Sequence, residues 1–158
     1  MTGKGKLKID KKGLEKLQKQ LEELEKGKAK DEFFEDCAKD MAARLLSLVK
    51  PKTPVGVYDD PSRKGGTLLR GWTGGKRRSA EAFADSLTVK KSGKTYTITV
   101  ENNVEYAPYV EYGHRTRGGK GFVQGKRMLE ISEQELEALA PKILQKKLEA
   151  YLKGVFNG

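Results

Sequence analysis

Histidine and cysteine are nearly absent from this chain: one of each, His114 and Cys37, among 158 residues. A lone cysteine excludes an intrachain disulfide and a cysteine-based zinc cluster, and one His with one Cys cannot make a typical zinc site. His114 stands in a glycine-flanked loop with no Ser or Cys beside it, so a nucleophile–base pair would have to draw its nucleophile from far away. Long apolar runs are missing as well. No stretch approaches the roughly 18 consecutive apolar residues of a membrane span, and the basic start, Met1 to Lys12, has no apolar signal-peptide region behind it. The expectation is a soluble protein made in a reducing cytoplasm, without metal, cofactor, membrane contact or catalytic residues.

What the chain does have is positive charge in two places. The formal net charge is +10. Residues 51–79 carry Lys52, Arg63, Lys64, Arg70, Lys76, Arg77 and Arg78 against Asp59 and Asp60, and residues 113–127 carry Arg115, Arg117, Lys120, Lys126 and Arg127 with no acid. Those two segments hold the whole surplus, eleven of the eighteen glycines, and Pro51, Pro54 and Pro61. Two basic, glycine-rich segments are set into a neutral scaffold.

The scaffold reads as follows. Leu14, Leu17, Leu21 and Leu24 make a narrow seam on an amphipathic helix that covers the protein's own core or pairs with a neighbour. Asp31 can cap a second helix whose apolar face is Phe33, Phe34, Cys37, Ala38, Met41, Ala42, Leu45 and Leu48, stopped by Pro51. Cys37, on that face, reads as a small buried hydrophobe. Residues 51–79 lack usable periodicity and read as a functional loop or disordered segment, anchored in part by Leu68, Leu69 and Trp72. Ser86–Lys91 and Lys94–Glu101 alternate, with Tyr96, Ile98 and Val100 on one face and Thr95, Thr97 and Thr99 on the other, a β-hairpin turning at Ser92–Gly93. A lone hairpin is marginal and must pack on helices or further strands. Glu105–Tyr112 reads as a short helical turn or strand interrupted by Pro108. Met128–Val155 is a long helix with Ser132 and Glu135 as capping box, Leu136, Leu139, Ile143, Leu144, Leu148, Tyr151, Leu152 and Val155 on one face, and Pro141 kinking or splitting it near Ala140. The fold class is α+β: a small antiparallel sheet flanked by N-terminal helices and a long C-terminal helix, with two long basic loops, as a single domain over 1–158 (1–30 an amphipathic helix or arm).

Little of this is catalytic chemistry. Gly119, Gly121, Gly125 and Lys126 suggest a phosphate loop, but Lys120 stands where Gly is needed and Arg127 where Ser or Thr is. Glu101, Glu105 and Glu111 could form an acidic cluster, but two or more of them read as solvated partners of nearby arginines. The basic loops with Trp72, Phe122 and tyrosines would suit a backbone-plus-stacking nucleic-acid surface. Yet such loops also bind acidic proteins, and no groove-reading helix rich in Arg or Lys is present. Nucleic-acid binding is therefore the alternative, and a small basic ribonuclease using His114 or a tyrosine a more distant one.

Several motifs share one resemblance. Thr53–Pro54–Val55, Leu69–Arg70–Gly71–Trp72, the block from Asn103 through Tyr106–Ala107–Pro108–Tyr109–Val110–Glu111–Tyr112–Gly113–His114–Arg115, and Gly121–Phe122–Val123–Gln124–Gly125–Lys126–Arg127–Met128–Leu129 resemble a family of tailed-phage neck or tail-completion (head–tail joining) virion proteins. Ile9–Leu24 is similar to that family's N-terminal helix. The inserted Gly56–Thr67 departs from its pattern. The resemblance implies a non-enzymatic phage or prophage virion protein, made in the host cytoplasm. Its partners would be copies of itself in a ring, of which a hexamer is one form, and head-closure and tail proteins, with DNA contact secondary. It makes Trp72, Tyr106, Tyr109, Tyr112 and Phe122 contact anchors, although for Tyr106 and Tyr109 core packing is equally open. Arg70, Glu111, His114, Arg115 and Arg117 join them at partner or subunit interfaces, Arg115 and Arg117 facing acidic surfaces or a neighbour's Glu111. Arg63, Lys64, Lys76, Arg77, Arg78, Lys120, Lys126 and Arg127 would lie on loops that order on assembly.

Overall fold

The computed structural model describes residues 3–10 and 28–157, with side chains from 30 to 154. The elements run β1 (Gly3–Asp10), α1 (Lys28–Lys52), α2 (Thr67–Gly71), α3 (Ala80–Ser86), β2 (Lys90–Ser92), β3 (Thr95–Asn102), α4 (Ala107–Tyr112), β4 (Gly113–Arg115), β5 (Phe122–Gln124) and α5 (Met128–Asn157). The class is α+β, as expected. The leucine seam Leu14–Leu24 lies outside the described residues; Ile9 and Asp10, expected at the start of a helix, close strand β1 instead.

Helix α1 is the core's backbone. Phe34, Cys37, Ala38, Met41, Ala42, Leu45, Leu46 and Val49 recur at three- and four-residue steps and are all buried, so one stripe of the helix faces the sheet and its neighbours α3 and α5. Asp31 is not its cap: the helix begins three residues earlier, and the Asp31 carboxylate accepts from Lys91 Nζ at 2.8 Å and Tyr96 Oη at 2.5 Å. Pro51 does not end it either. The helix closes one residue later because a proline's missing N–H costs only a single bond in a last turn.

The hairpin gains a third strand. β3 is central, with β1 and β2 antiparallel on either side; Gly3 pairs with Asn102, Asp10 with Thr95, and Ser92 with Thr95 from the other edge. The turn is Gly93–Lys94, with Gly93 at φ 58°, one residue later than expected. Tyr96, Ile98, Val100 and Asn102 face the core in alternation with half-buried threonines, the period-two pattern of a sheet covered on one face. Leu87 and Val89 precede β2 rather than lying in it, and Ala80–Ser86 is helical, started by the Ser79 hydroxyl accepting from Ala82 N at 3.1 Å.

Helix α5 packs along α1, joined across the surface by Lys147 to Asp36 and Lys52 to Glu135. The expected capping box is absent. Ser132 lies a full turn inside the helix, buried, and its hydroxyl donates back to Met128 O at 2.6 Å. α5 passes through Pro141, which is exposed, without splitting at Ala140. Leu136 and Leu148 are buried and Ile143 and Leu144 half-buried, but Leu139 is half exposed.

Candidate partner-binding surface

Residues 103–130 form one clamped unit, built around Glu111. Helix α4 tolerates Pro108 because it falls in the first turn, where no intrahelical N–H bond is due. Gly113, at φ 88°, ends the helix and begins β4. The β4–β5 hairpin then folds tightly onto the helix end: a Cβ on Gly113 would stand 2.4 Å from Val123 O, and one on Gly125 2.3 Å from Glu111 O. Only glycine permits that approach. Lys126 N and Arg127 N donate to the α4 carbonyls of Val110 (2.7 Å) and Glu111 (3.0 Å).

The Glu111 carboxylate completes the unit. It is 4% exposed and accepts from Leu129 N at 2.9 Å and Glu130 N at 3.0 Å, capping α5 with a negative charge at the helix's positive end. Glu111 is thus neither a solvated partner of arginines nor placed to meet a neighbour's Arg115 or Arg117; its backbone-bonded burial overrides both expectations. Burial pushes the nearby Glu133 carboxyl above its ordinary range, with Glu111, Glu137 and Glu130 adding to the effect.

The second basic segment is therefore a hairpin, not an irregular loop. Gly113 pairs with Gln124 and Arg115 with Phe122. Its tip is closed by Thr116 N to Gly121 O and Gly121 N to Thr116 Oγ1, both at 2.9 Å, and holds Arg117 and Lys120 outward.

On one side of this unit lies an open, largely apolar groove of about 600 Å³, lined by Pro54, Tyr106, Tyr109, Val110, Val123 and Gln124 together with His114, Arg115 and Lys126. Tyr109 is 58% exposed and Phe122 60%, and Tyr106 and Tyr112 are about half exposed. Tyr109 meets His114 edge-on at 5.9 Å. Of the ten large hydrophobic side chains exposed among the described residues, eight lie in 55–58, 106–112 and 122–123. No carboxylate lines the groove. Sequence reasoning singled out its tyrosines, His114, Arg115 and Lys126, and missed Pro54, Val110, Val123 and Gln124, whose signal was only their place inside the same motifs.

The first basic segment divides in two. Trp72, expected at an interface, is 1% exposed, and its indole N–H donates to Thr53 Oγ1 at 2.9 Å, while the Thr53 hydroxyl donates to Val49 O. Leu68 is buried and its carbonyl accepts from Asn102 Nδ2 at 2.7 Å. Helix α2 is thereby stapled to β3 and α1. Between them, residues 54–64 are exposed, with Arg63 over the Tyr58 ring at 4.7 Å and Lys64 in solvent. Arg70, Lys76, Arg77 and Arg78 border a second recess. Arg127, exposed and at φ 47°, pairs with Glu130.

Reactive groups are sparse. Burial pushes the Cys37 thiol up to about 12, against a lowering pull from Lys147, so it stays protonated at neutral pH. Among the described residues no three His, Cys, Asp or Glu groups gather to hold a metal, and no helix is long and apolar enough to cross a membrane.

No curated protein and no solved structure matches the chain. Comparison with protein families matches residues 15–113 to HK97-gp10-like proteins, described as "Bacteriophage HK97-gp10, putative tail-component". The match runs from the N-terminal region through α4 and stops where the hairpin begins. It spans well over half of the sequence, and on that ground the chain belongs to the HK97-gp10-like family of phage tail components.

Proposed function

We propose that this tail component is a neck protein that joins the filled head to the tail, acting in a ring of its own copies and docking partner subunits on the groove between α4 and the β4–β5 hairpin. The family assignment supports a structural role in the phage tail; the groove supports the finer reading. Two half-exposed tyrosines, Tyr106 and Tyr109, lining an apolar groove are unusual for a surface that stays wet. Trp, Tyr and Arg anchors dominate interface energetics, and here tyrosines sit on a base fixed by Glu111, so binding pays little for ordering them. Arg115 and Lys126 in the groove's lining, with no carboxylate beside them, select an acidic partner surface. Neighbours around a rotation axis meet head-to-tail, so one subunit's groove would receive a different face of the next. Residues 54–64, which border the groove through Pro54, would order against that partner.

The single observation carrying this reading is the exposed tyrosine groove in a tail-component chain. Its test is electron microscopy of lysates from the phage or prophage with this gene disrupted. Filled heads and finished tails lying apart are expected. Joined particles in normal number would overturn the joining role.

A further inference from the structure

We propose that the recess between the end of α1, helix α2 and residues 73–79 is a seat for the phosphodiester backbone of duplex DNA. Lys50, Arg70, Lys76, Arg77 and Arg78 line one open recess of about 560 Å³, and no carboxylate is among its lining residues. The five come from three separate stretches of chain that the fold brings together. Three of them are positioned without being neutralised: Lys50 Nζ donates to Arg78 O at 3.0 Å, Arg70 Nη1 to Gly65 O at 3.2 Å, and Arg78 Nη2 to Ala82 O at 3.4 Å with its guanidinium over the Phe83 ring. A carbonyl orients a cation and leaves its charge standing. The two acids of this part of the chain do not reach the recess; Asp60 is turned back onto Ser62 N and Oγ.

Like charges concentrated this way raise the local potential and favour a polyanion. The rest of the lining decides which one. Val55, Leu69, Thr73, Ser79 and two glycines offer no aromatic anchor, whereas a protein partner draws most of its affinity from such anchors; those are gathered at the tyrosine groove instead. A single strand would want rings for its bases to stack on. A duplex backbone needs only cations and N–H donors. This proposal goes beyond the docking groove, and its failure would leave the tail-component reading standing.

The test is fluorescence anisotropy of the full chain with a labelled short duplex across a salt series. At about −0.9 per neutralised phosphate, the five cations contribute a slope of roughly −4.5 to log affinity against log salt. Lys76 and Arg77 are exposed and make no side-chain hydrogen bond, so Lys76→Gln with Arg77→Gln should keep the far-ultraviolet circular dichroism and flatten the slope by about 1.8. The matched change on the hairpin tip, Arg117→Gln with Lys120→Gln, should leave the slope in place. Three results overturn the proposal: equal flattening by both variants, which means diffuse charge; no flattening by the recess variant; or displacement of the duplex by a polyglutamate peptide as effectively as by unlabelled DNA, which means an acidic protein partner.

Discussion

Replacing Glu111 by alanine should unlatch the unit that carries the docking groove. The carboxylate is buried and makes two charge-assisted bonds, to Leu129 N and Glu130 N. Each is worth about 1.5–3 kcal/mol, and its loss strands a donor at the start of α5. The favourable charge at the helix N-terminus goes with them, about 0.5 kcal/mol more. One effect opposes: Glu133, crowded by Glu111 after burial, is relieved. With both bonds at the low end of that range and the relief of Glu133 offsetting the helix-end contribution, the net loss is about 3 kcal/mol. At roughly 2–4 °C per kcal/mol for a chain of this size, the calorimetric midpoint falls by about 6–12 °C. Glu111→Gln keeps one acceptor oxygen and should lose about half as much. Glu105→Ala, exposed just before α4, serves as control and should stay within about 0.5 kcal/mol. A loss below about 1 kcal/mol for Glu111→Ala would refute the capping argument.

Trp72→Ala should destabilise by about 3–5 kcal/mol, as expected for a buried indole; a midpoint close to that of the unmodified protein in thermal denaturation would return Trp72 to the surface. Alkaline pH should weaken the fold. The folded pKa of Cys37 is raised from 9.0 to about 12, so its contribution is whole below about pH 9 and is lost as pH climbs toward 12. Tyr96 is raised too, first by burial and then by its bond to Asp31, and adds to the loss above pH 10.0. A thermal midpoint flat from pH 9 to pH 11 contradicts both. Limited trypsin digestion should cut at Arg63–Lys64 and Arg77–Arg78 before Arg70, which lies in the helix stapled by Trp72 and Leu68; earliest cleavage at Arg70 would contradict that staple.

Periodic elements were legible in the sequence because burial imposes their period. The α1 stripe from Phe34 to Leu45 and the alternation of Tyr96, Ile98 and Val100 both sit in the core where the spacing put them. What the sequence hid was long-range. The start of α5 at Met128 was read correctly but its cap was not: a carboxylate on another helix caps it, and the Ser132–Glu135 pattern lies a turn inside. Strand β1 has a readable alternation of Lys4, Lys6 and Lys8 with Leu7 and Ile9, but its partner lies some ninety residues on. The second basic segment looked irregular because each strand of its hairpin is three residues long. Trp72 shows a different limit: the sequence offered it both as an anchor of the basic segment and as a contact residue, and only its burial against Thr53 decides for the anchor. The groove's tyrosines were legible as residues, and their exposure was not.

The docking claim is tested most directly by supplying a Tyr106→Ala, Tyr109→Ala protein to cells whose phage lacks the gene, then counting joined particles. Both side chains are exposed, so the purified variant should denature within about 1 kcal/mol of the unmodified protein. Two hot-spot contacts of about 2 kcal/mol each, about 4 kcal/mol together, should nonetheless cut partner affinity roughly 800-fold, leaving heads and tails apart. A folded variant that restores joined virions in full number would contradict the account.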